Sequence, residues 1–189
     1  MSERINIKNT EVLHQSKYTL KKVTFETGAN GKPQTHEVYD RGNAAAILLY
    51  NKERKTVVLT RQFRLPSFLN GNKDGMLIEV CAGMLDGDDP ATCARREAVE
   101  ETGYKVEEVQ HAFDTYTSPG GVTELIYCFV AAYTPDMKVS KGGGLPEEGE
   151  KIELLEPTLD TALHMIDTGA IRDGKTIMLL QYAKLHNLV

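Results

Sequence analysis

At 189 residues, with 41% hydrophobic and 26% charged side chains, the chain has the length and apolar content of one ordinary soluble domain with a real core. A net charge of −5 and a pI near 5.6 exclude the basic face that a general nucleic-acid surface requires. The cysteines, Cys81, Cys93 and Cys128, form no Cys-x-x-Cys pair, which argues against structural zinc or a disulfide framework and suits reduced thiols in a cytoplasmic protein.

The opening "MSERINIKNT" lacks the apolar run of a signal peptide, and no segment approaches membrane-spanning length. Residues 4–41 read as short strands: "YTLKKVTFET" alternates, "NGKP" at 30–33 signals a turn, and "THEVYD" follows. This stretch holds too little apolar material to stand alone. It is expected to be a small antiparallel β-appendage, residues 1–43, ahead of a main domain over 44–189.

From Ala44 the texture changes. "AAILLYN" and "TVVLTRQFR" are buried-strand candidates joined by "KERK", and "GMLIEVCAG" is a third. A helix should begin at Asp89, an N-cap aspartate before Pro90, and stop at Gly103. The strands "EVQHAFDTYT" and "TELIYCFVAAYT" flank "SPGG". A glycine- and acid-rich loop, "KGGGLPEEGEK", precedes the short strand "IELLE". Leu159, Ala162, Leu163 and Ile166 have helical spacing with Gly169 as the stop, and "KTIMLLQYAKLH" is apolar almost all round, predicting a buried helix. The sum is an α/β chain, a mixed sheet with helices on its faces.

Two motifs carry chemistry. "GAIRDGKT" (169–176) has the letters of a phosphate-binding loop, G-x-x-x-x-G-K-[ST]. That loop works only when a strand feeds it, and here a helix precedes it and no later strand supplies the acidic magnesium partner. Lys175 can still meet an anion from its place at a helix start. The second motif is "DDPATCARREAVEETGY" (88–104), which stacks Glu97, Glu100 and Glu101 at i, i+3 and i+4. Like charges about 5–6 Å apart at an effective dielectric near 20 repel by roughly 3 kcal/mol per pair before screening. A solvated face would absorb this; so would a cation. The strand and glycine turn "CAGMLDGD" upstream would aim carbonyls at the same helix, and magnesium suits a few carboxylates plus substrate phosphates.

Gly83, Asp88 and "REAVEETGY" resemble the Nudix box, G-x5-E-x7-R-E-U-x-E-E-x-G-U, with U bulky and apolar. Arg96, Glu97, Glu100, Glu101 and Gly103 keep its spacing. Ala98 is small for the first U, Asp88 stands in place of Glu, and strict counting puts the first box position on Ala82 rather than Gly83. The resemblance implies a Nudix-type α/β/α sandwich that hydrolyses a nucleoside diphosphate linked to a group X, with Mg2+ or, as a substitute, Mn2+. Glu97, Glu100, Glu101 and the Ala82 carbonyl would be metal ligands, Glu97 and Glu101 catalytic, and Arg96 would orient a glutamate by hydrogen bonding.

Pro119, 15 positions after Tyr104, together with "EVYDRGN" (37–43), "RQFR" (61–64), "SPGGVTEL" (118–125) and "IRDGKT" (171–176), is similar to the nucleotide-sugar branch of that family. That branch implies GDP-mannose split to GMP and mannose 1-phosphate. It also implies a homodimer whose N-terminal β-appendages complete each other's sites, with Glu37, Arg64, Glu124 and Lys175 touching substrate. Family resemblance further places a loop glutamate near the metals, Glu150 by its distance from "IRDGK" or else Glu148, as metal ligand or orienter of water. Thr35 and His36 stand where the branch carries two basic residues, which bears on base or sugar preference. His14, His111, His164 and His186 read as structural or surface residues. The alternatives are ADP-ribose or another sugar nucleotide as substrate, a nucleotide-binding module without catalysis, and an acidic protein-interaction domain. A decayed module would have lost helix glutamates, and none is missing.

Overall fold

The computed structural model describes residues 4–28, 31–146 and 149–189. Asn30 of the expected "NGKP" turn and Glu148 of the acidic loop lie outside the described residues. The chain divides into two compact units.

The first unit holds residues 1–43 and also residues 116–125, which the sequence reading assigned to the main domain. Strands β1 (Ile5–Gln15), β2 (Thr19–Thr27) and β3 (Gln34–Asp40) form an antiparallel sheet in that order. Lys22 sits opposite Glu11 on one side and Glu37 on the other, a cross-strand charge pattern that fixes register. β1 is exposed along its whole length, Ile5, Ile7 and Val12 included. The second segment joins through backbone: the Tyr39 N–H donates to Gly121 O at 2.7 Å and the Thr123 N–H to Tyr39 O at 3.1 Å. Asp40 accepts from Lys21 at 2.6 Å and from the Thr123 hydroxyl at 3.1 Å, and Arg41 pairs with Glu124 at 3.4 Å. Thus "SPGG" is a turn, closed by Val122 N–H to Ser118 O at 3.0 Å.

The second unit is built on β4 (Ala44–Asn51), buried at every position. It is flanked by β5 (Thr56–Phe63) and β9 (Leu125–Ala132). β10 (Glu153–Leu155) lies outside β5, and β8 (Gln110–Tyr116) lies outside β9. β4 and β9 are parallel, whereas β4–β5 and β5–β10 are antiparallel. Side chains alternate across β4 as pleating requires. Ala44, Ala46, Leu48 and Tyr50 pack with Leu159, Leu179 and Leu180 of α3 (Leu159–Asp167) and α4 (Gly174–Leu185). Ala45, Ile47 and Leu49 pack with Cys93 and Ala94 of α2 (Pro90–Glu97). This is an α/β/α sandwich. Among the described residues no helix is long and apolar enough to cross a membrane.

Four details differ from the sequence reading. "GMLIEVCAG" is not one strand: β6 (Met76–Glu79) pairs with β5 and β7 (Cys81–Met84) with β4, the chain changing partner at Val80. The Val80 N–H leaves the ladder and donates to the Thr176 hydroxyl at 2.8 Å. A short helix, α1 (Leu65–Leu69), follows Arg64; five residues with Pro in the first turn are too short to show periodicity. The acidic helix starts as expected, Asp89 accepting from the Ala91 and Thr92 N–H groups, but after Glu97 it widens into a π-helical turn, Ala98–Thr102. Finally, α4 buries Leu179, Leu180 and Ala183 but leaves Leu185 79% exposed, so its burial is one-sided. Its apolar residues exceed what one face can hide.

Candidate active site

Local rules place the acidic cluster. The Asp89 cap and Pro90 start α2, Gly103 ends the turn in the left-handed region at φ 78, and Ala98 is fully buried against the β4 face, which accounts for its small size. π turns insert an extra residue into a helix and recur at functional sites. Here the turn carries Glu100 and Glu101 while Glu97 closes the α-helical part.

Glu101 points inward. It is 2% exposed, its carboxylate accepts the Ala82 N–H at 3.3 Å, and it lies against the Cys81 thiol. Burial pushes its carboxyl up to about 8; the Cys81 contact opposes this, and the charges of Glu97 and Glu150 add to it. Burial likewise pushes Glu97 up to about 7, against Arg96 and with help from Glu100 and Glu150. Glu97 lies directly over Gly83, where a Cβ would come 2.0 Å from its Oε1. That close approach, and not a special backbone angle, explains the glycine. The Cys81 thiol is raised well above its usual range, first by burial, so it is no nucleophile.

Arg96 ties the turn to the helix. Its Nη1 donates to Glu97 Oε1 at 2.7 Å and Glu100 Oε2 at 3.0 Å, its Nε to Asp88 at 3.2 Å and its Nη2 to Met84 O at 3.2 Å. Asp88, in the box position usually held by Glu, thus acts on the arginine. Among the described residues no three acid, histidine or cysteine side chains are grouped so that they could hold a metal ion as they stand. The glutamates are gathered, and Arg96 supplies the counter-charge.

The glycine-rich loop is fastened to the same turn. Gly143 N–H donates to Glu101 O at 2.8 Å and Gly144 N–H to Glu100 O at 3.1 Å. A Cβ at Gly142 would meet Glu101 O at 2.5 Å, and its φ of 66 is one that side chains rarely adopt. Glu150 follows this loop; its carboxylate accepts the Leu145 N–H at 3.0 Å, and its charge reaches Glu97 and Glu101.

Beside the acids lies a four-charge network. Buried Glu79 accepts from Arg64 Nε at 2.7 Å and from Lys175 Nζ at 2.8 Å, and Lys175 also donates to Asp173 at 3.0 Å. Burial is the largest single influence and would lower both cations' pKa, but the neighbouring acids together outweigh it, Glu79 with Glu101 and Asp173 for Arg64 and Glu79 with Asp173 for Lys175, so both stay charged. In "GAIRDGKT", Asp173 caps α4, accepting from Thr176 N–H at 3.0 Å and Thr176 O–H at 2.6 Å, and α3 precedes it. The lysine and threonine are therefore bound within the protein, unlike those of a phosphate loop.

Within the second unit, Ala82 is bonded to Glu101, Glu97 and Glu100 share Arg96, and the charge of Glu150 reaches Glu97 and Glu101, with Arg64 near enough to feel Glu101. Glu37 and Glu124 belong to the first unit: Glu37 is exposed on β3, while Glu124 is largely covered and paired with Arg41. Sequence reasoning missed Glu79 and Asp173. A lone acid inside the apolar run "MLIEVCAG" was the available signal for Glu79, and an aspartate directly before "GKT" the signal for Asp173.

Comparison with known proteins fits this arrangement. The NUDIX domain family matches residues 40–178. Over 192 aligned residues, spanning 100% of both chains, the sequence is 52% identical to the GDP-mannose pyrophosphatases of Salmonella arizonae and Citrobacter koseri and 50% identical to that of Shigella dysenteriae. A crystal structure of an ADP compounds hydrolase superposes with a TM-score of 0.77 over 97% of this chain and 94% of that one; at 18% identity this shows a shared fold.

Proposed function

Because the chain belongs to the NUDIX family, we propose that it is a hydrolase that splits the diphosphate of a nucleoside-diphosphate sugar, namely GDP-mannose to GMP and mannose 1-phosphate. The observation that carries this reading is full-length identity of 52% to enzymes of that activity, with the three helix glutamates of the box, Glu97, Glu100 and Glu101, kept. The family works with divalent metal ions, and Mg2+, with Mn2+ as a substitute, is the ion proposed here.

The donor set fits such an ion. Burial first, and then the neighbouring glutamate charges, push the Glu97 and Glu101 carboxyls up to about 7 and about 8, and oxygen donors of this kind suit a divalent counter-ion. Glu97, Glu100, Glu101, Glu150 and the Ala82 carbonyl would hold it. When bound, it would neutralise the diphosphate, polarise phosphorus and lower the pKa of a water. The protein's own groups do the rest. Arg64 offers its guanidinium and Lys175 its ammonium to the phosphate oxygens, both held by Glu79. Arg96 holds the Glu97 and Glu100 carboxylates side by side from one nitrogen and would orient them for the ion. Glu150 orients the attacking water and takes its proton; the water oxygen bonds to phosphorus and one bond of the P–O–P bridge breaks. Glu37 and Glu124 are further substrate-contacting residues in this reading, on the family resemblance of "EVYDRGN" and "SPGGVTEL".

The chain is further proposed to act as a homodimer, supported by the exposed apolar residues of β1, and in the cytoplasm, supported by three free buried cysteines. Light scattering of wild type and of Ile7→Glu/Val12→Glu checks the first: the variant should run as a monomer. A panel of sugar nucleotides, products separated by chromatography and the reaction run in oxygen-18 water, tests the substrate. A marked preference for ADP-ribose would replace GDP-mannose; His36, where the branch has a basic residue, is the feature that favours such a shift.

Two variants probe the machinery. Glu150→Gln should lower kcat about a hundredfold at saturating Mg2+, and wild-type turnover would remove Glu150 from the reaction. Gly83→Ala should displace the Glu97 carboxylate, whose Oε1 lies 2.0 Å from the new Cβ position. A misplacement of that order lowers kcat about a hundredfold. Melting temperature should hardly move, because the end of a flexible side chain gives way.

A further inference from the structure

We propose that Glu79 is a positioning residue: it holds Arg64 and Lys175 as a single two-cation cradle for the substrate diphosphate. This rests on the functional reading above and adds a residue that never touches substrate. Glu79 lies on β6, 3% exposed, and both of its oxygens are taken, Oε2 by Arg64 Nε at 2.7 Å and Oε1 by Lys175 Nζ at 2.8 Å. One buried carboxylate thus separates and balances two cations that would otherwise repel. Its grip on Nε decides which edge of Arg64 is offered. The terminal nitrogens meet no hydrogen-bond partner among the described residues, and they form the end-on fork that matches phosphate oxygens.

The cradle is anchored from behind. Asp173 takes Lys175 at 3.0 Å and Thr176 O–H at 2.6 Å, and Thr176 receives the Val80 N–H at 2.8 Å, next to Glu79 in sequence. The start of α4 and the strand that changes partner are therefore one rigid assembly. Two acids and two bases leave it neutral. A buried ionic cluster is poor at adding stability, and an apolar set of equal volume does that better. Orientation is the property it supplies.

The test is steady-state kinetics on Glu79→Gln, Arg64→Ala and the double variant, with GDP binding in Mg2+ measured by calorimetry. Glu79→Gln should raise KM and weaken GDP binding about 10–100-fold, with kcat within about threefold. In the Arg64→Ala background, Glu79→Gln should cost less than it does in wild type, since only its hold on Lys175 is left to lose. Penalties that multiply, or a loss confined to kcat, overturn the proposal. Should Glu79→Gln fail to fold, Arg64→Lys decides, since Arg64 is 40% exposed and tolerates change. A lysine consumed by Glu79 has no fork left, so its KM should match that of Arg64→Ala, and a wild-type KM overturns the idea. If wild type does not turn over GDP-mannose, the substrate reading fails while GDP binding still judges Glu79.

Discussion

Glu101→Gln is expected to lower kcat at least about a thousandfold, about 4 kcal/mol of transition-state stabilisation, with the fold intact. Glu101 is the most buried of the box acids, at 2% exposure, and it is reached by the charges of Glu97 and Glu150 together. Glutamine keeps the shape and can still accept the Ala82 N–H that Glu101 accepts at 3.3 Å. It removes the charge, and charge is what a divalent ion requires from this position. Glu97→Gln should behave alike, because its carboxylate is held over Gly83 on the same side. Both variants should show weakened Mn2+ binding by calorimetry. Wild-type rates in both would end the case for hydrolysis at this cluster. An acidic protein-interaction surface predicts the opposite pattern, with metal affinity untouched by Glu101→Gln.

Without metal, the protein should lose stability as pH rises from about 4.5 to about 8. Glu101 and Glu97 stand at about 8 and about 7 in the fold, against an ordinary value of 4.5. Between these limits the native state binds more protons than the unfolded chain, so stability falls with rising pH. The contribution is complete below the unfolded value and gone above the folded one. Its size is at most about 8 kcal/mol. Asp40, held low first by its Lys21 hydrogen bond, works in the other direction, its stabilisation fading as pH falls below 3.8. The two windows do not overlap, so the metal-free optimum should lie near pH 4–5. A divalent ion binds the charged acids of the folded state, so it should raise the melting temperature far more at pH 8 than at pH 5. Thermal melts in chelator and in Mg2+ at both values measure this. A flat chelator profile that Glu101→Gln leaves unchanged would show that these carboxylates carry no strain.

The family and the acid positions were legible because the box is a dense local code: Arg96 to Gly103 fixes side-chain types along one short helix, whatever surrounds it. The caps at Asp89 and Gly103 were equally local. What the sequence hid depends on partners distant along the chain. "GMLIEVCAG" reads as one strand because nothing in its letters says that Thr176, 96 residues on, takes the Val80 N–H. The π turn alters hydrogen-bond partners without altering residue pattern. Glu79 looked like noise in an apolar run, although its cations at positions 64 and 175 give it a purpose only in three dimensions. The 116–125 segment was read as the link between two strands of one domain, and its attachment to Tyr39 is a pairing that no local rule announces.

That attachment changes how the protein can be cut. A chain begun at Ala44 would still carry "SPGGVTEL", but the Gly121 carbonyl and the Thr123 amide would lose the Tyr39 groups they bond at 2.7 and 3.1 Å, and Glu124 its Arg41. The amino-terminal sheet is therefore not a detachable tag. Trimming it injures a loop encoded some eighty residues later, so a shortened enzyme that fails would report on that orphaned loop as much as on any missing subunit contact.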